Sequence, residues 1–406
     1  NQYGQKLEEI ALEIGIPYEV LTPAKMKKLL PIINPGHFYP AKALTDKNFG
    51  EKNGNLRYVL HFPKAGYISD PMFATQNIEN AAKRVGAKFF LGAKVIEIHK
   101  NNNQVTGVVA GEFGKNANGE PGPTYEPGME VNGKYVFLAE GVRGSLSKEV
   151  ISRYNLAENS DFSKYGIGMK EVWEIRPEAH TEGQVLHTMG WPLGNSTGGG
   201  SFAYHAEKNQ LYLGFVVHLN YKNPFIFPYK EFQKFKHHPI IKKLLIGGRR
   251  IEYGARAISE GGVQSIPEMV FPGGLLLGCS AGLVNVPRIK GNHNAMLSGI
   301  CAAEIAYQAL KSGRTNDKLN EYEEKIKSGP VFKDLLPVRN VKPLWSRLGL
   351  FFGITLGALD MWFASILGFN LFGTMKHKYA DHDVLKNAGE SKKIEYAKPD
   401  GKISFE

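Results

Sequence analysis

The chain has 406 residues, of which 42% are hydrophobic and 22% are charged. At roughly 150 residues per domain this length suggests about two or three domains, and the composition excludes a disordered, collagen-like or small disulfide-stapled protein. The 50 Lys and Arg residues exceed the 39 Asp and Glu residues by 11, a formal net charge of +11, which favours an anionic partner such as a membrane surface, a nucleic acid or an acidic protein.

Two cysteines, Cys279 and Cys301, are too few for a disulfide framework or for a four-cysteine zinc or iron–sulfur site. Adjacent His237 and His238 diverge on a helix, so we predict no metal there. The chain begins at Asn1 rather than Met, and we interpret it as part of a longer protein.

The first part of the chain predicts helices and short strands. Amphipathic runs at 6–14 and 25–30 precede a helix from about 70 to 85, with Asp70 as its N-cap and Phe73 and Ile78 facing inward. Alternating apolar residues then predict short strands at 88–91, 95–99 and 105–110. An apolar strand at 134–139 and a helix at 143–154 follow.

The middle of the chain predicts an antiparallel β domain inserted into an α/β one. Strand-like runs at 165–175, 210–219 and 250–258 are separated by Gly, Pro and Asn turns, with one helical piece at 229–245. A buried strand at 274–278, a long helix to about 310 and a charged helix at 317–327 follow.

Small residues follow the strand at 274–278. Gly278, Cys279, Ser280 and Gly282 lead through Pro287 and Gly291 into the long helix. A cofactor ring can approach the backbone only where Cβ atoms are absent or small, and a helix N-terminus favours negative charge on a reduced flavin. The alternative is a tight strand-to-helix connection packed closely by small residues.

A second strand end, Ala139-Glu140-Gly141, fits the same role, although an ordinary strand end remains the alternative. The G-x-G-x-x-G fingerprint of dinucleotide sites is absent from the chain. If the protein binds FAD, we expect the part that holds the pyrophosphate to precede Asn1.

These elements, with several longer stretches, resemble the electron transfer flavoprotein–ubiquinone oxidoreductase family. The stretches are 165–173, 190–193 with 199–202, 236–239 with 253–256 and 261–267, 271–274 through 285–287 and 290–291, and the tail 396–405. The likeness covers roughly residues 100–406, whereas residues 1–66 look more like a generic flavoprotein oxidase segment.

The resemblance implies an α/β (α+β) fold: an FAD-binding domain of the two-dinucleotide type, an inserted antiparallel quinone domain and a membrane-contact segment. The corresponding regions are 1–164 and 271–330 for the FAD domain, 165–270 for the quinone domain, 331–380 for membrane contact, and 381–406 as the lead-in to a further ferredoxin-like domain. It also implies one FAD, one [4Fe-4S] cluster in the full-length protein, and ubiquinone as acceptor.

The resemblance further assigns site residues. Gly278, Cys279, Ser280, Gly282, Pro287 and Gly291 would line the flavin, beside Ala139 and Gly141. Gly199 and Gly200 match the glycine pair at the ubiquinone site, where bare backbone could accept a flat ring; a plain turn at 196–200 is the alternative. Since the work is electron transfer, no general acid or base is predicted.

The stretch 348–373 is the most apolar in the chain and contains one charge, Asp360. Basic residues flank both ends, so no asymmetry orients a crossing. We expect shallow, one-sided insertion at a bacterial or mitochondrial inner membrane, with a buried core helix and a true span as alternatives. The expected interfacial anchors are Trp345, Phe351, Phe352, Trp362, Phe363, Phe369 and Phe372.

The leading functional hypothesis is therefore electron transfer from reduced electron transfer flavoprotein, through FAD and an iron–sulfur cluster, to ubiquinone at the membrane surface. A soluble FAD-dependent amine or hydroxy-acid oxidase or dehydrogenase is the second hypothesis. A membrane-docking module without a cofactor is the third. The sequence contains no stripe of basic residues alternating with aromatic ones, so it gives no indication of nucleic-acid binding.

Overall fold

The structure, a computed structural model, describes residues 71–406 and, before them, residues 5, 8, 9, 11, 12, 17–29, 36, 47, 48, 51, 52, 54, 56 and 58–61. The chain divides into two compact units, Asn1–Phe89 and Phe90–Glu406. In the described part of the first unit, strands β1 (Glu19–Leu21) and β2 (Val59–His61) pair antiparallel, and the helices are α1 (Pro23–Leu29) and α2 (Pro71–Arg84).

The sequence located α2 but not its environment. The predicted N-cap Asp70 and most of the run 6–14 lie outside the described residues. The expectation that Phe73 and Ile78 face inward is wrong, because the two side chains are 64% and 61% exposed. Amphipathic spacing marks an apolar face without specifying what covers it. The strand predicted at 88–91 is irregular backbone.

The second unit alternates strands and helices. In chain order the elements are β3 (Val95–Asn101), β4 (Gln104–Ala110), β5 (Phe113–Lys115), β6 (Pro121–Glu126), β7 (Met129–Asn132), β8 (Val136–Leu138), α3 (Ser145–Arg153), β9 (Tyr165–Glu174), β10 (Val185–Met189), β11 (Gly199–His205), β12 (Gln210–His218), α4 (Pro228–Lys236), α5 (Pro239–Leu245), β13 (Arg249–Ser259), β14 (Val270–Phe271), β15 (Gly274–Leu276), α6 (Asn292–Lys311), α7 (Asn320–Ser328), α8 (Pro330–Leu335) and α9 (Val341–Leu367). The predicted mixed α/β fold is confirmed.

A five-stranded sheet dominates this unit. Its order is β10-β11-β12-β9-β13, and every pairing is antiparallel. The sequence predicted three of the strands and missed β10 and β11. The turn considered for 196–200 is wrong for Gly199 and Gly200, which begin β11. The small residues that suggested a turn are tolerated because β12 and β10 flank them on both sides.

Helices α4 and α5 cover one face of this sheet. Phe232 and Phe235 of α4 stack on Phe215 of β12, with ring centroids 5.9 and 5.3 Å apart. The sequence predicted a single helix here. The chain instead begins a new helix at Pro239, whose missing N–H suits a first helical position, and His238 caps it by accepting a hydrogen bond from the Ile240 backbone N–H.

A fully buried ion pair joins helix α4 to strand β9 of the sheet. Lys236 Nζ is 3.0 Å from both carboxylate oxygens of Glu171, which also accepts hydrogen bonds from Arg250 and the Trp173 indole. Burial lowers the pKa of Lys236 to about 8, although the adjacent Glu171 favours its charged form. The pair therefore fixes α4 on the sheet at an electrostatic cost.

Replacing Lys236 by Met tests this assignment. An unfolded lysine has a pKa of about 10.4, so between pH 8 and 10 the unfolded wild type binds more protons than the folded one, and its stability rises with pH. Relative to Lys236→Met, the unfolding free energy of the wild type should increase by about 1 kcal/mol per pH unit in this range. Urea denaturation of both proteins from pH 7 to 10 measures it; a constant or shrinking difference would contradict the assignment.

A separate three-stranded sheet, β14-β15-β8, contains a parallel strand pair. β15 pairs parallel with β8 and antiparallel with β14. Tyr322 of α7 is fully buried and donates a hydrogen bond to the Leu276 carbonyl at 3.1 Å. A three-stranded sheet β3-β4-β7 and the hairpin β5-β6 account for the predicted strands and excursion before residue 134.

Helix α9 is a hairpin of two helical segments. The chain breaks at Gly349, whose φ of +74° is unfavourable for residues with a Cβ. The two segments contact where a Cβ on Gly353 would lie 2.6 Å from Cα of Trp345 and one on Gly357 would lie 3.6 Å from Cα of Val341. Asn195 supports the bend, since its carbonyl and side-chain oxygens accept hydrogen bonds from the backbone N–H groups of residues 350 and 351.

The second segment is amphipathic, but its buried face consists of the small residues Gly353 and Gly357 and the charged residue Asp360. Asp360 is 0% exposed and accepts hydrogen bonds from Asn340 at 3.1 Å, from Asn370 at 2.6 Å and from the Phe372 backbone N–H at 3.3 Å. The opposite surface is apolar and exposed; it includes Leu348, Phe351, Phe352, Leu359, Trp362, Ile366, Phe369 and Phe372. We call this set the apolar hairpin surface.

By length and composition, one stretch among the described residues could cross a membrane. It runs from Pro330 to Leu367, its most apolar window has a mean hydropathy of 1.7, and 17% of that window is buried. This exposure does not fit a core helix. The break at Gly349 leaves 350–367 as its longest straight piece, about 27 Å at 1.5 Å per residue, which is shorter than a ~30 Å hydrocarbon core.

Candidate functional site

A cavity of about 1300 Å³ lies in the second unit. Its walls are formed by the strand end after β8, the segment between β15 and α6, residues of β10, β11, β12 and β13 in the large sheet, and the first segment of α9. Seven of the ten site residues predicted from sequence line it: Ala139, Gly141, Gly199, Gly200, Cys279, Pro287 and Gly291. The fold therefore brings both predicted glycine-rich elements and the glycine pair to one space.

Parallel pairing explains why the first two elements meet. Leu276 of β15 aligns with Leu138 of β8, so both strands end at the same edge. Ser280 Oγ then donates a hydrogen bond to the Gly141 carbonyl at 3.2 Å. Glu140 also lines the cavity, and its carboxylate accepts hydrogen bonds from the backbone N–H and the hydroxyl of Ser147 at 2.6 and 2.7 Å, which caps α3.

Three of the predicted residues, Gly278, Ser280 and Gly282, do not line the cavity. Gly278 packs on α6, where a Cβ would lie 2.9 Å from Cβ of Ala295, and its N–H donates to Ser298. Ser280 lies behind the wall, bonded to Gly141. A Cβ on Gly282 would lie 3.3 Å from Ser259 Oγ. For these residues, close packing is the reason for their small size.

The segment before α6 is held by Asp334 of α8. Its carboxylate is 3.0 Å from His293 and 3.2 Å from Asn294, and it pairs with Arg288 at 2.8 Å. Burial acts to raise the pKa of Asp334, but the hydrogen bonds from Asn285, His293 and Asn294 hold it below its usual value. The carboxylate thus fixes the loop and the first turn of α6 beside the cavity.

The glycine pair lies at the sheet end of the cavity. A Cβ on Gly199 would be 2.2 Å from the Val216 carbonyl oxygen, and one on Gly200 would be 2.8 Å from that of Thr188. The sheet therefore admits no side chain at either position without adjustment. Val341 and Trp345 of the first α9 segment also line the cavity, so the hairpin forms part of its wall.

Trp345 differs from the other anchors named from sequence. Its ring packs edge-on against His218 with centroids 4.6 Å apart, and its indole nitrogen is buried without a hydrogen-bond partner. It belongs to the cavity and not to the apolar hairpin surface.

Buried charged groups at this end were not predicted from the sequence. Glu260 and His218 line the cavity; Glu260 is 3.5 Å from His218 Nε2 and 2.5 Å from Lys342 Nζ. Burial raises the pKa of Glu260 against the opposing effect of Lys342, and burial together with Lys342 lowers that of His218. No spacing motif joins positions 218, 260 and 342. The only local signal is a charged residue directly after a strand-like run.

Among the residues that the structure describes, no group of three or more His, Cys, Asp or Glu side chains could hold a metal ion. Cys279 and Cys301 are free thiols, and burial raises the pKa of both.

The fold has a solved counterpart. A geranylgeranyl bacteriochlorophyll reductase-like protein from Thermoplasma acidophilum superimposes with a TM-score of 0.52 at 18% identity, over 76% of this chain and 69% of that one. Residues 165–258, which contain most of the large sheet, match the family model described as ETF-QO, ubiquinone-binding. Fold and comparison thus define a mixed α/β protein whose large sheet matches a family model described as ubiquinone-binding.

Curated relatives identify the family. The chain is 42% identical over 328 residues to the electron transfer flavoprotein–ubiquinone oxidoreductase of Pseudomonas aeruginosa, covering 80% of this chain and 59% of that protein. It is 41% identical over 407 residues to the mitochondrial enzyme of the same name from Arabidopsis thaliana, covering 98% and 63%. The chain belongs to the electron transfer flavoprotein–ubiquinone oxidoreductase family and spans about six tenths of these relatives' length.

These comparisons bear on two expectations. The resemblance was expected over roughly residues 100–406, and the Arabidopsis match extends it to 98% of the chain. The alternative of a soluble FAD-dependent oxidase or dehydrogenase is not favoured by relatives with this name.

Proposed function

We propose that this protein transfers electrons from reduced electron transfer flavoprotein, through FAD, to ubiquinone at a membrane surface. The observation that carries the proposal is the single cavity that reaches from Gly141 and Gly291 to the glycine pair Gly199–Gly200. One end offers bare backbone and a helix N-terminus to a flavin ring, and the other offers bare backbone to a quinone ring.

The residues fit a flavin. Gly141 has a φ of +84° and lines the cavity, and a Cβ there would meet no atom within 4 Å, so the space beside this backbone is open to a ligand. The 20-residue helix α6 begins at Asn292, which also lines the cavity, and a helix N-terminus stabilises negative charge. A bound FAD would accept electrons from one partner and release them to the other.

The residues also fit a quinone that arrives from lipid. The wall beside Gly199 and Gly200 includes Val341 and Trp345 of α9, whose second segment carries the apolar hairpin surface. We infer that this surface enters one leaflet of a bacterial or mitochondrial inner membrane and brings the cavity to the lipid-soluble substrate. The net charge of +11 suits an anionic bilayer. The [4Fe-4S] cluster implied by the family remains a proposal for the full-length protein.

Two measurements on the purified full-length protein test the proposal. Visible absorption should contain flavin bands, and the protein should reduce a short-chain ubiquinone when supplied with reduced electron transfer flavoprotein. A full-length protein that takes up no FAD would support the alternative of a cofactor-free docking module. A flavoprotein that reduces oxygen or an amine-derived substrate system, but no quinone, would favour the oxidase hypothesis.

Replacing Gly141 by Val is expected to lower flavin affinity by about 5- to 160-fold, since overpacking a filled site costs about 1–3 kcal/mol. The matched control is Gly313→Val. Gly313 has a φ of +80° and its Cβ would also meet no atom within 4 Å, but it follows α6 at the end remote from Asn292. Flavin dissociation constants of the two variants give the comparison; equal weakening in both would show that backbone strain alone explains the loss.

A further inference from the structure

A second cavity adjoins the first one. It has a volume of about 640 Å³ and is lined by the cationic side chains Lys164, Lys222, Arg347 and Lys378 and by His377. We call it the basic cavity. His218 and Trp345 line both cavities, so these two side chains form the partition between them.

His218 is oriented across this partition. A Cβ on Gly198, which lines the basic cavity, would lie 2.1 Å from Nδ1 of His218. On its other side, Nε2 is 3.5 Å from Oε1 of Glu260, which lines the larger cavity. Gly199 and Gly200, which directly follow Gly198 in the chain, are the proposed quinone contacts.

We propose that His218 and Glu260 carry protons from the basic cavity to a quinone bound beside Gly199 and Gly200. This inference rests on the proposed function. Reduction of a quinone to a quinol requires two electrons, which a reduced flavin supplies, and two protons. Each transfer breaks the O–H bond of the Glu260 carboxyl and forms an O–H bond on a quinone oxygen. The carboxylate then regains a proton from His218, which takes one from the basic cavity.

The charges around the pair suit this cycle. Lys342 of α9 is 2.5 Å from Glu260 and stabilises the carboxylate left after a transfer, while burial and Asp381 favour the protonated acid. His218 is 5% exposed and lies near the positive Lys342, so its ring returns readily to the neutral form after accepting a proton. Among the cations that line the basic cavity, Lys164 is itself paired with this Asp381, with Nζ 3.2 Å from Oδ1.

A merely structural role must be separated from proton transfer. The Glu260–Lys342 pair also fastens α9 to the segment after β13, so its removal could disturb the cavity. The test therefore compares two acceptors in the holoenzyme: a short-chain ubiquinone, which needs protons, and a ferricenium-type one-electron acceptor, which needs none. Glu260→Gln preserves the side-chain shape, and His218→Gln leaves the ion pair intact.

We expect both variants to reduce the quinone about 100- to 10,000-fold more slowly, in the range of a lost general acid, with a larger solvent deuterium isotope effect. Reduction of the ferricenium acceptor should be unchanged. The matched control is Glu171→Gln, which also neutralises a carboxylate in a buried ion pair of the same sheet but lines neither cavity. It should leave the ratio of the two rates unchanged.

Three outcomes would overturn the inference: unchanged quinone reduction in Glu260→Gln and His218→Gln, a parallel fall in both acceptor rates, or the same change of ratio in Glu171→Gln. If one of the two variants does not fold, the other decides. Failure of the wild type to reduce any quinone would instead overturn the proposed function, so the two failures are distinguishable.

Discussion

Replacing Phe351 and Phe352 by lysine is expected to release the protein from lipid vesicles. Both side chains project from the start of the second α9 segment and are 70% and 63% exposed. Burying a phenylalanine side chain in hydrocarbon is worth about 1.5–3 kcal/mol, so the double substitution should weaken binding by at least about 100-fold. Co-sedimentation with vesicles containing anionic lipid measures the effect.

The matched control for this prediction is Val185→Lys combined with Tyr253→Lys. These residues lie in β10 and β13 and are 60% and 76% exposed, so the change in charge and in exposed apolar area is similar. The control should bind vesicles as the wild type does. Equal loss in both double variants would show that binding depends on overall apolar surface and not on the hairpin.

Replacing Gly200 by Val is expected to abolish most quinone reduction while the flavin is retained. A Cβ at this position would lie 2.8 Å from the Thr188 carbonyl oxygen and 4.0 Å from Cβ of Met189, which also lines the cavity. The branched side chain would occupy the space proposed for the ring. We expect kcat/KM for a short-chain ubiquinone to fall by about 5- to 160-fold, since such overpacking costs about 1–3 kcal/mol.

Gly200→Ala should have an intermediate effect, and Gly254→Val provides the matched control. Gly254 lies in β13 of the same sheet, is exposed, and its Cβ would meet no atom within 4 Å. The ferricenium acceptor serves again as the internal reference. If Gly254→Val impairs quinone reduction as strongly, the sheet and not the glycine pair is responsible.

The strand ends at the proposed flavin end of the cavity could be located from the sequence because their signals are local. An apolar run followed by small residues marks both β8 and β15, and parallel pairing places such strand ends at one edge. The sequence could not separate residues that face the cavity, such as Gly141, from those that pack behind it, such as Gly278. That distinction depends on the position of α6, which passes within contact distance of Gly278.

The quinone side was harder to predict because its partners are distant in sequence. Strands β10 and β11 contain Gly, Ser and Thr that suggest turns, and they are stabilised by pairing with β12. The charged group at 218, 260 and 342 becomes recognisable only after the pairing of β12 and β13 with β9 brings His218 near Glu260 and α9 adds Lys342. Asp360 was an argument against a span, yet its spacing from Gly353 and Gly357 is that of one helix face, which is a signal for an inward-facing carboxylate.

The α9 hairpin connects the apolar hairpin surface to the wall of the cavity. Its first segment supplies Val341 and Trp345 to the cavity wall, its second segment carries the outward phenylalanines, and the two touch directly at Gly353. Under the proposed membrane insertion, lateral pressure from lipid chains on the outer segment would therefore bear on the width of the cavity. Turnover in micelles and in bilayers of different acyl-chain length would then report on chambers under different mechanical load, even with identical flavin and quinone.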